Sequence, residues 1–504
     1  MARIAVIGAG MGAMAAAARL AVAGHRVTVY ERAETYGGGV RRFERDGFGF
    51  DTGPGLLHLP AVYRDLFVKT GKEPLERCVG LTQVDPASRH VFADGTAVSL
   101  PNASRAGVVD ALDEALGKGA GERWAAFLNR ARDAWDRSRR PLLEEPLPAD
   151  VSVFSRDPYP ALKTGLLRRT AATLAAVGRR ELGDERLAAL LDGYALAYGL
   201  DPATAPPSAA VLPYMEQTFG TWYVGGGLRA LADAVYERCL ARKVEFVFGT
   251  EVTGVVEKGG RAAGIELAGG EVVEADHVVA GAPVPALLRD RVVAWERQEE
   301  WPRFASEVRT GRVTVCLALR GAREADAAHR TVVHSGDLAA ELTTLAPGGP
   351  LAGPPTVVVL RPGDPALVPD GGHEAVTVTA TVPAGEPMAP EDVWSGSPQW
   401  VEEFADRMVE AAEAAVPELR ERLLWREVRT PADTYRETGT HQVPAPAFAG
   451  VEGALLPAAN PAPLPGLYFA GGWAHPGGGL AHAGMSGALV AGLIVEGADF
   501  RGSQ

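Results

Sequence analysis

Three small residues near the start of the chain have the spacing needed to bind a dinucleotide. Gly8, Gly10 and Ala13 fit the pattern G-x-G-x-x-G/A, and Glu31 follows them. The first glycine of such a pattern permits a tight turn, the second lets the backbone approach a pyrophosphate, and the third position lets a helix pack closely on a strand. A carboxylate about 20 residues further on can accept hydrogen bonds from both ribose hydroxyls. The spacing therefore predicts a dinucleotide site.

The elements around these residues are of the kind that the site needs. Residues 4–7 form an apolar run typical of a buried parallel strand, and residues 25–30 predict a second strand that ends at Glu31. A helix from Met11 to about Ala23, followed by Gly24, would aim its N-terminal amide groups at the phosphates.

Two rival interpretations of glycine-rich segments are weaker. A second match at Gly225, Gly227 and Ala230 is followed by Glu245, but that acid lies inside a predicted strand and not at its end. A signal peptide over residues 1–24 would leave the second strand and Glu31 unexplained, and glycines and Arg19 interrupt its apolar run.

The composition predicts a soluble globular protein and excludes some partners. The 504 residues are 47% hydrophobic and 22% charged, and the net charge of −13 argues against a nucleic-acid partner. No run of 18 uninterrupted apolar residues occurs, so no transmembrane helix is predicted, and peripheral contact with a membrane stays an open alternative.

The cysteines predict neither a metal site nor a redox pair. Cys78, Cys239 and Cys316 are widely separated, and no C-x-x-C or zinc-type spacing is present. Three buried thiols in a reducing bacterial cytoplasm are the expected arrangement.

Elements of the nucleotide-binding type recur in three separate stretches of the chain. The pattern predicts an α/β nucleotide-binding domain formed by 1–75, 207–300 and 430–504. The insertions, 76–206 and 301–429, are expected to form an α+β substrate domain. Within them the pattern predicts mostly helices over 61–200, an antiparallel sheet over 305–385 and an amphipathic helix over 398–417.

Four segments carry a family resemblance. They are Gly8–Glu31, the glycine-rich residues 37–54, the stretch 219–227 with its following strands, and Gly466–Ser486, which contains two runs of glycine. In this order they resemble the phytoene desaturase family of FAD-dependent oxidoreductases, which also includes carotenoid isomerases and retinol-saturase-like enzymes.

The resemblance implies FAD as the cofactor and a Rossmann-type FAD-binding domain of the glutathione-reductase and amine-oxidase type. It implies a cofactor role for Gly8, Gly10, Met11, Gly12, Ala13, Glu31, Arg32, Gly37, Gly38, Gly39, Arg42, Gly53, Pro54, Val252, Gly471, Gly472, Gly479, Gly484, Met485 and Ser486.

The chain departs from the family pattern at several of these positions. Gly39 stands where the family usually has arginine, which leaves Arg41, Arg42 or neither to supply that charge. Trp473 stands where a small residue is common, and the segment Ala481-His482-Ala483 differs from the usual apolar one.

The resemblance implies desaturation, oxidation or isomerisation of C–C bonds in an apolar, unsaturated, isoprenoid-like small molecule. In desaturation a hydride leaves a substrate carbon for flavin N5 and a neighbouring proton is lost. His475 and His482 are the candidate catalytic groups, because both lie in the segment that closes over the flavin. For His475 the alternative is a structural turn.

Four side chains are predicted to line the substrate space: Glu216, Trp222, Tyr223 and Trp473. Gln217 is a further candidate, and ordinary core packing is the alternative for the aromatic residues.

Two other functions fit the same scaffold. One is an amine-oxidase-like flavoenzyme that oxidises C–N bonds. The other is a non-catalytic protein that binds lipids or prenyl groups, as Rab GDP-dissociation inhibitors do; the intact glycine pattern and Glu31 argue against it.

Overall fold

The computed structural model describes residues 1–162, 171–293, 310–338, 353–384, 398–450, 453 and 455–502. The strands in chain order are β1 (Arg3–Ile7), β2 (Arg26–Tyr30), β3 (Arg42–Arg45), β4 (Phe48–Asp51), β5 (Leu57–His58), β6 (Leu81–Gln83), β7 (Ser88–Val91), β8 (Ala97–Leu100), β9 (Thr221–Val224), β10 (Glu245–Val247), β11 (Val252–Lys258), β12 (Arg261–Leu267), β13 (Val272–Glu274), β14 (His277–Ala280), β15 (Thr310–Arg320), β16 (Arg330–Val333), β17 (Val357–Leu360), β18 (His373–Pro383), β19 (Leu423–Arg429) and β20 (Leu467–Phe469).

The α-helices in chain order are α1 (Met11–Val22), α2 (Ala61–Gly71), α3 (Arg105–Leu116), α4 (Ala120–Arg139), α5 (Leu174–Val177), α6 (Glu185–Ala197), α7 (Val211–Phe219), α8 (Leu228–Ala241), α9 (Val284–Arg289), α10 (Pro398–Ala412), α11 (Leu419–Arg422), α12 (Pro431–Thr438) and α13 (Leu480–Glu496).

A five-stranded parallel sheet forms the first layer, in the order β10-β2-β1-β14-β20. Strand β1 is central and its apolar residues are buried, as expected for a strand covered on both faces. The sheet draws its strands from near the start, the middle and the end of the chain. The predicted α/β fold class is confirmed.

Helices α1 and α13 pack closely against each other because the residues between them are small. A Cβ on Gly487 would lie 2.3 Å from the carbonyl oxygen of Gly12, and a Cβ on Gly12 would lie 2.6 Å from the Cα of Gly471. Four consecutive alanines of α1, Ala15–Ala18, are buried in the same contact region. This close packing brings the last helix of the chain to the start of the first.

A seven-stranded sheet forms the second layer, in the order β19-β15-β18-β17-β16-β7-β8. Alternate residues of β15 point to opposite faces of this sheet. Val313, Val315 and Leu317 form a buried cluster with residues of α10, while Arg312 and Thr314 face the other way. A helical layer that includes α3, α4, α6 and α7 is built on a third core, in which Trp124 is fully buried.

Most predicted elements occur within a few residues of their expected positions. The strands predicted between residues 244 and 280 are β10 to β14, and the antiparallel sheet expected over 305–385 contains β15 to β18. Of that stretch, 305–309, 339–352 and 385 lie outside the described residues.

The prediction of a mostly helical stretch over 61–200 was wrong in one part. Strands β6, β7 and β8 lie within it, and β7 pairs in parallel with β16 at the edge of the seven-stranded sheet. These strands are too short for their alternation to stand out in the sequence; β6 and β7 pair with the distant strands β9 and β16, and β8 pairs with β7. The exact domain boundaries stay a prediction.

Within the described part of the chain, none of the helices combines the length and the apolar character needed to cross a bilayer.

Candidate functional site

A cavity of about 570 Å³ opens at the carboxyl ends of the parallel strands. Its lining includes the residues that follow β1, β2, β14 and β20: Gly8, Glu31, Gly281 and Gly471. This is where ligands bind in open α/β sheets. From there the lining continues to the face of the seven-stranded sheet that carries Arg312 and to residues of α6 and α7.

The turn after β1 has the geometry that a pyrophosphate needs. Gly8 has a φ of +86°, which glycine adopts without strain. Helix α1 begins directly after Gly10, and no side chain caps its N-terminus. The first amide groups of a helix have no partner within it, so Met11 and Gly12, which line the cavity, can donate to an anion.

Glu31 is fixed at the end of β2 by two backbone amides. Its Oε2 accepts from the Ala9 amide at 2.7 Å and its Oε1 from the Ala33 amide at 2.9 Å. Each carboxylate oxygen keeps a further lone-pair site. Because Glu31 also lines the cavity, its carboxylate can still accept from ribose hydroxyls.

Two glycine loops close over this turn. The Gly37 amide donates to the Ala9 carbonyl at 2.8 Å, and a Cβ on Gly38 would lie 3.0 Å from the Cα of Gly10. A Cβ on Gly53 would lie 2.0 Å from the Gly39 carbonyl oxygen. The donors, the carboxylate and these close approaches fit the dinucleotide part of FAD, which these residues would hold.

The segment after β20 is held in place by buried polar groups. Ser486 Oγ accepts from the Gly471 amide at 3.0 Å and from Asn460 Nδ2 at 3.2 Å. The same Nδ2 donates to the His475 carbonyl at 2.7 Å. These bonds fix the loop that brings Gly472 and Trp473 to the cavity wall.

Most residues with a predicted cofactor role line the cavity. They are Gly8, Gly10, Met11, Gly12, Glu31, Arg32, Gly37, Gly38, Gly39, Gly53, Pro54, Val252, Gly471, Gly472 and Gly479.

Four residues with a predicted cofactor role do not line the cavity but pack beneath the residues that do. Ala13 packs under the turn, since a Cβ on Gly281 would lie 2.5 Å from its Cβ. Gly484 faces Val62 and Tyr63, and Met485 packs against hydrophobic clusters. With Ser486, which holds the Gly471 amide, they support the site without lining it.

Of the two arginines that the sequence offered as the basic group, Arg41 lines the cavity and Arg42, which was given the cofactor role, does not. The side chain of Arg42 runs along β3 and β4, where its δ-carbon lies beside Gly49 and its guanidinium lies near Glu44. The Nε of Arg41 donates to the Gly38 carbonyl at 2.9 Å and its Nη2 to the Glu437 carbonyl at 3.3 Å.

Trp222 and Tyr223 do not line the cavity, contrary to the prediction. Strand β9 pairs with β5 and β6 in a small separate sheet, which keeps both side chains away from the cavity. The Trp222 indole donates to the Phe219 carbonyl at 3.2 Å, and the Tyr223 hydroxyl donates to Asp364 at 2.7 Å. Glu216 and Trp473 do line it.

The two candidate histidines have different positions. His475 is fully buried, its Nε2 is 2.8 Å from the Glu145 carbonyl oxygen, and it is not part of the cavity wall, which argues against contact with substrate. His482 lines the cavity. Burial lowers the pKa of His482 to about 4, so its imidazole is neutral at physiological pH and able to accept a proton.

A buried ion pair lies deep in the cavity. Both guanidinium nitrogens Nη1 and Nη2 of Arg330 donate to the Glu216 carboxylate, and His58 Nε2 lies 3.6 Å from the same group. Burial alone would raise the pKa of Glu216, but Arg330 and His58 outweigh it and hold the pKa below its usual value. Glu216 is therefore ionised and already neutralised by Arg330.

Several lining residues were not predicted from the sequence: His58, Tyr198, Arg312, Arg330 and Gly281. Arg312 and Arg330 lie on strands of the second sheet, where only register decides that they face the cavity. For Gly281, the sequence does contain a signal, since it directly follows an apolar strand in the same way as Gly8.

Comparison with known proteins identifies the family. Residues 14–495 match the family described as flavin containing amine oxidoreductase. The chain is 28% identical to a 4,4'-diapolycopene oxygenase of Methylomonas over 98% of both chains. It is also 28% identical to a hydroxyneurosporene desaturase of Cereibacter sphaeroides, over 98% of this chain and 97% of the relative.

Solved structures share the fold. A putrescine oxidase bound to putrescine matches with a TM-score of 0.66 at 14% identity, over 98% of this chain and 99% of the other. An oxidoreductase from Methanosarcina mazei matches with a TM-score of 0.62 at 19% identity, over 97% and 99%. The chain thus belongs to the flavin containing amine oxidoreductase family and is an FAD-dependent oxidoreductase.

Proposed function

We propose that the protein oxidises C–C bonds of an isoprenoid polyene, by desaturation or by a related oxidation or isomerisation. The observation that carries the proposal is the cavity, which joins the dinucleotide turn to a space lined by aliphatic side chains such as Leu59, Leu196 and Val358. Relatives named as carotenoid desaturases and oxygenases, matched over nearly their whole length, support it.

The carboxylates of the described lining favour this substrate class over an amine. Glu216 is paired with Arg330, Glu437 with Arg429, and Asp290 with Arg289. The remaining two, Glu31 and Glu251, belong to the dinucleotide end, where the Thr250 amide donates to the Glu31 carbonyl. An ammonium group deep in the cavity would therefore lack a free carboxylate partner.

The side chains of the cavity orient the substrate, and one of them accepts the proton that the substrate loses. FAD, when bound, supplies a two-electron acceptor for hydride. The aliphatic wall excludes water and orients a long chain, while the neutral imidazole of His482 stands ready to accept the proton lost beside the oxidised carbon. Trp473 adds a flat apolar surface next to Gly472.

Anaerobic flavin bleaching tests this function. We expect the flavin absorbance of the purified protein to bleach on addition of polyene hydrocarbons and to persist with amines. The His482→Leu variant should keep its flavin but bleach about 100-fold more slowly, because the loss of a general base lowers the reaction rate by at least about this factor. His373→Ala, which changes a partly exposed histidine of β18 outside the cavity lining, serves as the control and should bleach like the unaltered protein.

Three outcomes would contradict the proposal. Bleaching by amines alone would assign the protein to C–N oxidation. Persistent flavin bands with every polyene and no change in double-bond geometry would reject C–C chemistry. A protein that takes up no FAD would point to a non-catalytic binding role.

A polyene substrate also implies peripheral contact with a membrane, because such molecules partition into lipid. Val151 and Val153 are exposed apolar side chains, 44% and 64% accessible. We expect the protein to co-sediment with phospholipid vesicles and Val151→Ser/Val153→Ser to reduce the bound fraction. A protein that stays in the supernatant at all lipid concentrations would refute membrane contact.

A further inference from the structure

Three arginines lie on the cavity face of the seven-stranded sheet, and two of them are neutralised. Arg330 on β16 pairs with Glu216, and Arg429 on β19 pairs with Glu437. The third, Arg312 on β15, has no carboxylate partner among the described residues. Its Nη2 donates to the carbonyl of Ala197, the last residue of α6.

The rest of the Arg312 guanidinium is free to bind a ligand. Nε and Nη1 have no hydrogen-bond partner in the described part of the chain, and neither nitrogen is sealed off from the open space. Burial lowers the pKa of Arg312, and Tyr198 opposes that effect. A partly buried cation without a counter-charge is unfavourable unless a ligand supplies one.

The surroundings of Arg312 are polar on one side and apolar on the other. Sheet register places Thr381 opposite Arg312 and Thr379 opposite Thr314, and all four residues line the cavity. Thr379 is in turn paired with Val358 on β17, where the aliphatic lining begins. A long hydrocarbon with one oxygen-bearing end would match this division.

Tyr198 connects this polar patch with the segment that closes the cofactor site. It lies within electrostatic reach of both Arg312 and Arg330, and its Cε1 is 3.5 Å from where a Cβ on Gly479 would lie. A group bound at Arg312 would therefore be one side chain away from the residues that precede α13.

We propose that Arg312 binds a carboxylate at one end of the substrate, so that the preferred polyene is oxygenated and not a pure hydrocarbon. The inference rests on the proposed function for the polyene part of the ligand. The Nε–H and Nη1–H groups that Ala197 leaves free can each donate a charge-assisted hydrogen bond to a carboxylate oxygen, and a hydrocarbon end offers no such acceptor.

Paired ligands test the proposal on the flavin-loaded protein. All-trans-retinoic acid and its methyl ester carry the polyene, and palmitic acid with its methyl ester gives the saturated equivalent. Dissociation constants come from quenching of tryptophan and flavin fluorescence. We expect each acid to bind at least tenfold more tightly than its ester, because the ester has no negative charge to form a charge-assisted hydrogen bond with the guanidinium.

Substitution of Arg312 should remove this preference. In Arg312→Met the acid and the ester should bind equally, with the affinity for the ester unchanged. Arg312→Lys, which keeps the charge and can still donate to Ala197, should retain part of the preference and covers the case in which the methionine variant does not fold. The control is Arg320→Met, at the exposed end of the same strand, and it should bind like the unaltered protein.

The outcomes separate this proposal from the proposed function. Acids that bind no better than esters would overturn the role of Arg312, and so would an acid preference that is undiminished in Arg312→Met or in Arg312→Lys. An Arg312-dependent preference for both acids, in a protein whose flavin no polyene bleaches, would uphold the binding role and reject the polyene chemistry.

Discussion

Replacing Glu31 with alanine is expected to weaken FAD binding by about 100-fold. Two charge-assisted hydrogen bonds to the ribose, each worth about 1.5 kcal/mol, together correspond to that factor. The same carboxylate accepts from the Ala9 and Ala33 amides, so the turn that faces the pyrophosphate also loses its anchor. The ratio of flavin to protein absorbance after gel filtration measures retention, and titration of the apoprotein gives the dissociation constant.

Two further variants separate the ribose contact from a general disturbance of the turn. Glu34→Ala changes an exposed acid three residues away and should retain flavin like the unaltered protein. Glu31→Gln keeps the size of the side chain but replaces one acceptor oxygen with a donor, so it should lose most of the affinity. Equal flavin content in Glu31→Ala and the unaltered protein would show that this carboxylate does not hold the cofactor.

Replacing Glu216 with methionine is expected to destabilise the protein by about 3 to 5 kcal/mol. The change leaves the Arg330 guanidinium buried without a counter-charge, and removing one partner of a buried pair costs this much. Urea unfolding followed by tryptophan fluorescence gives the free energy of unfolding.

The double variant Glu216→Met/Arg330→Met should recover most of the lost stability, because no unpaired charge remains. Glu410→Met serves as the control, since it breaks an exposed pair with Arg407 and should cost less than about 1 kcal/mol. A single variant as stable as the double variant would mean that Arg330 finds other compensation.

The contribution of this pair should also depend on pH in a defined direction. The folded protein holds the pKa of Glu216 below its usual value of 4.5, so the unfolded chain binds the proton more readily. The stabilisation is therefore complete above pH 4.5 and is lost as the pH falls through the folded-state pKa. Glu216→Met should show a smaller loss of stability than the unaltered protein over that acid range.

The dinucleotide turn could be predicted because its chemistry is local. Gly8, Gly10 and Glu31 lie within one strand–helix–strand unit, where chain connectivity fixes their relative positions. These three residues and the glycines at 37–39 line the cavity. His482 also lines it, in the first turn of the helix that follows the second glycine run, while its catalytic role stays a prediction.

The errors came from side chains whose direction depends on a distant partner. Trp222 and Tyr223 are predicted from the sequence to line the substrate space, but the pairing of β9 with β5 and β6 decides that they turn away from the cavity. Arg41 and Arg42 are adjacent in the chain and point to opposite sides of it, so the choice between them required the orientation of β3.

The sequence by itself determined the cofactor class, the fold class and the turn that holds the dinucleotide, because these depend on residues joined by short stretches of chain. Only the tertiary structure decided what the rest of the cavity offers to a substrate. Arg312 and Arg330 are two of 50 basic residues, and nothing near them in the sequence distinguishes them. Sheet register turns both side chains toward the cavity. The packing of α7 places Glu216 beside Arg330, while no carboxylate of the described residues pairs with Arg312.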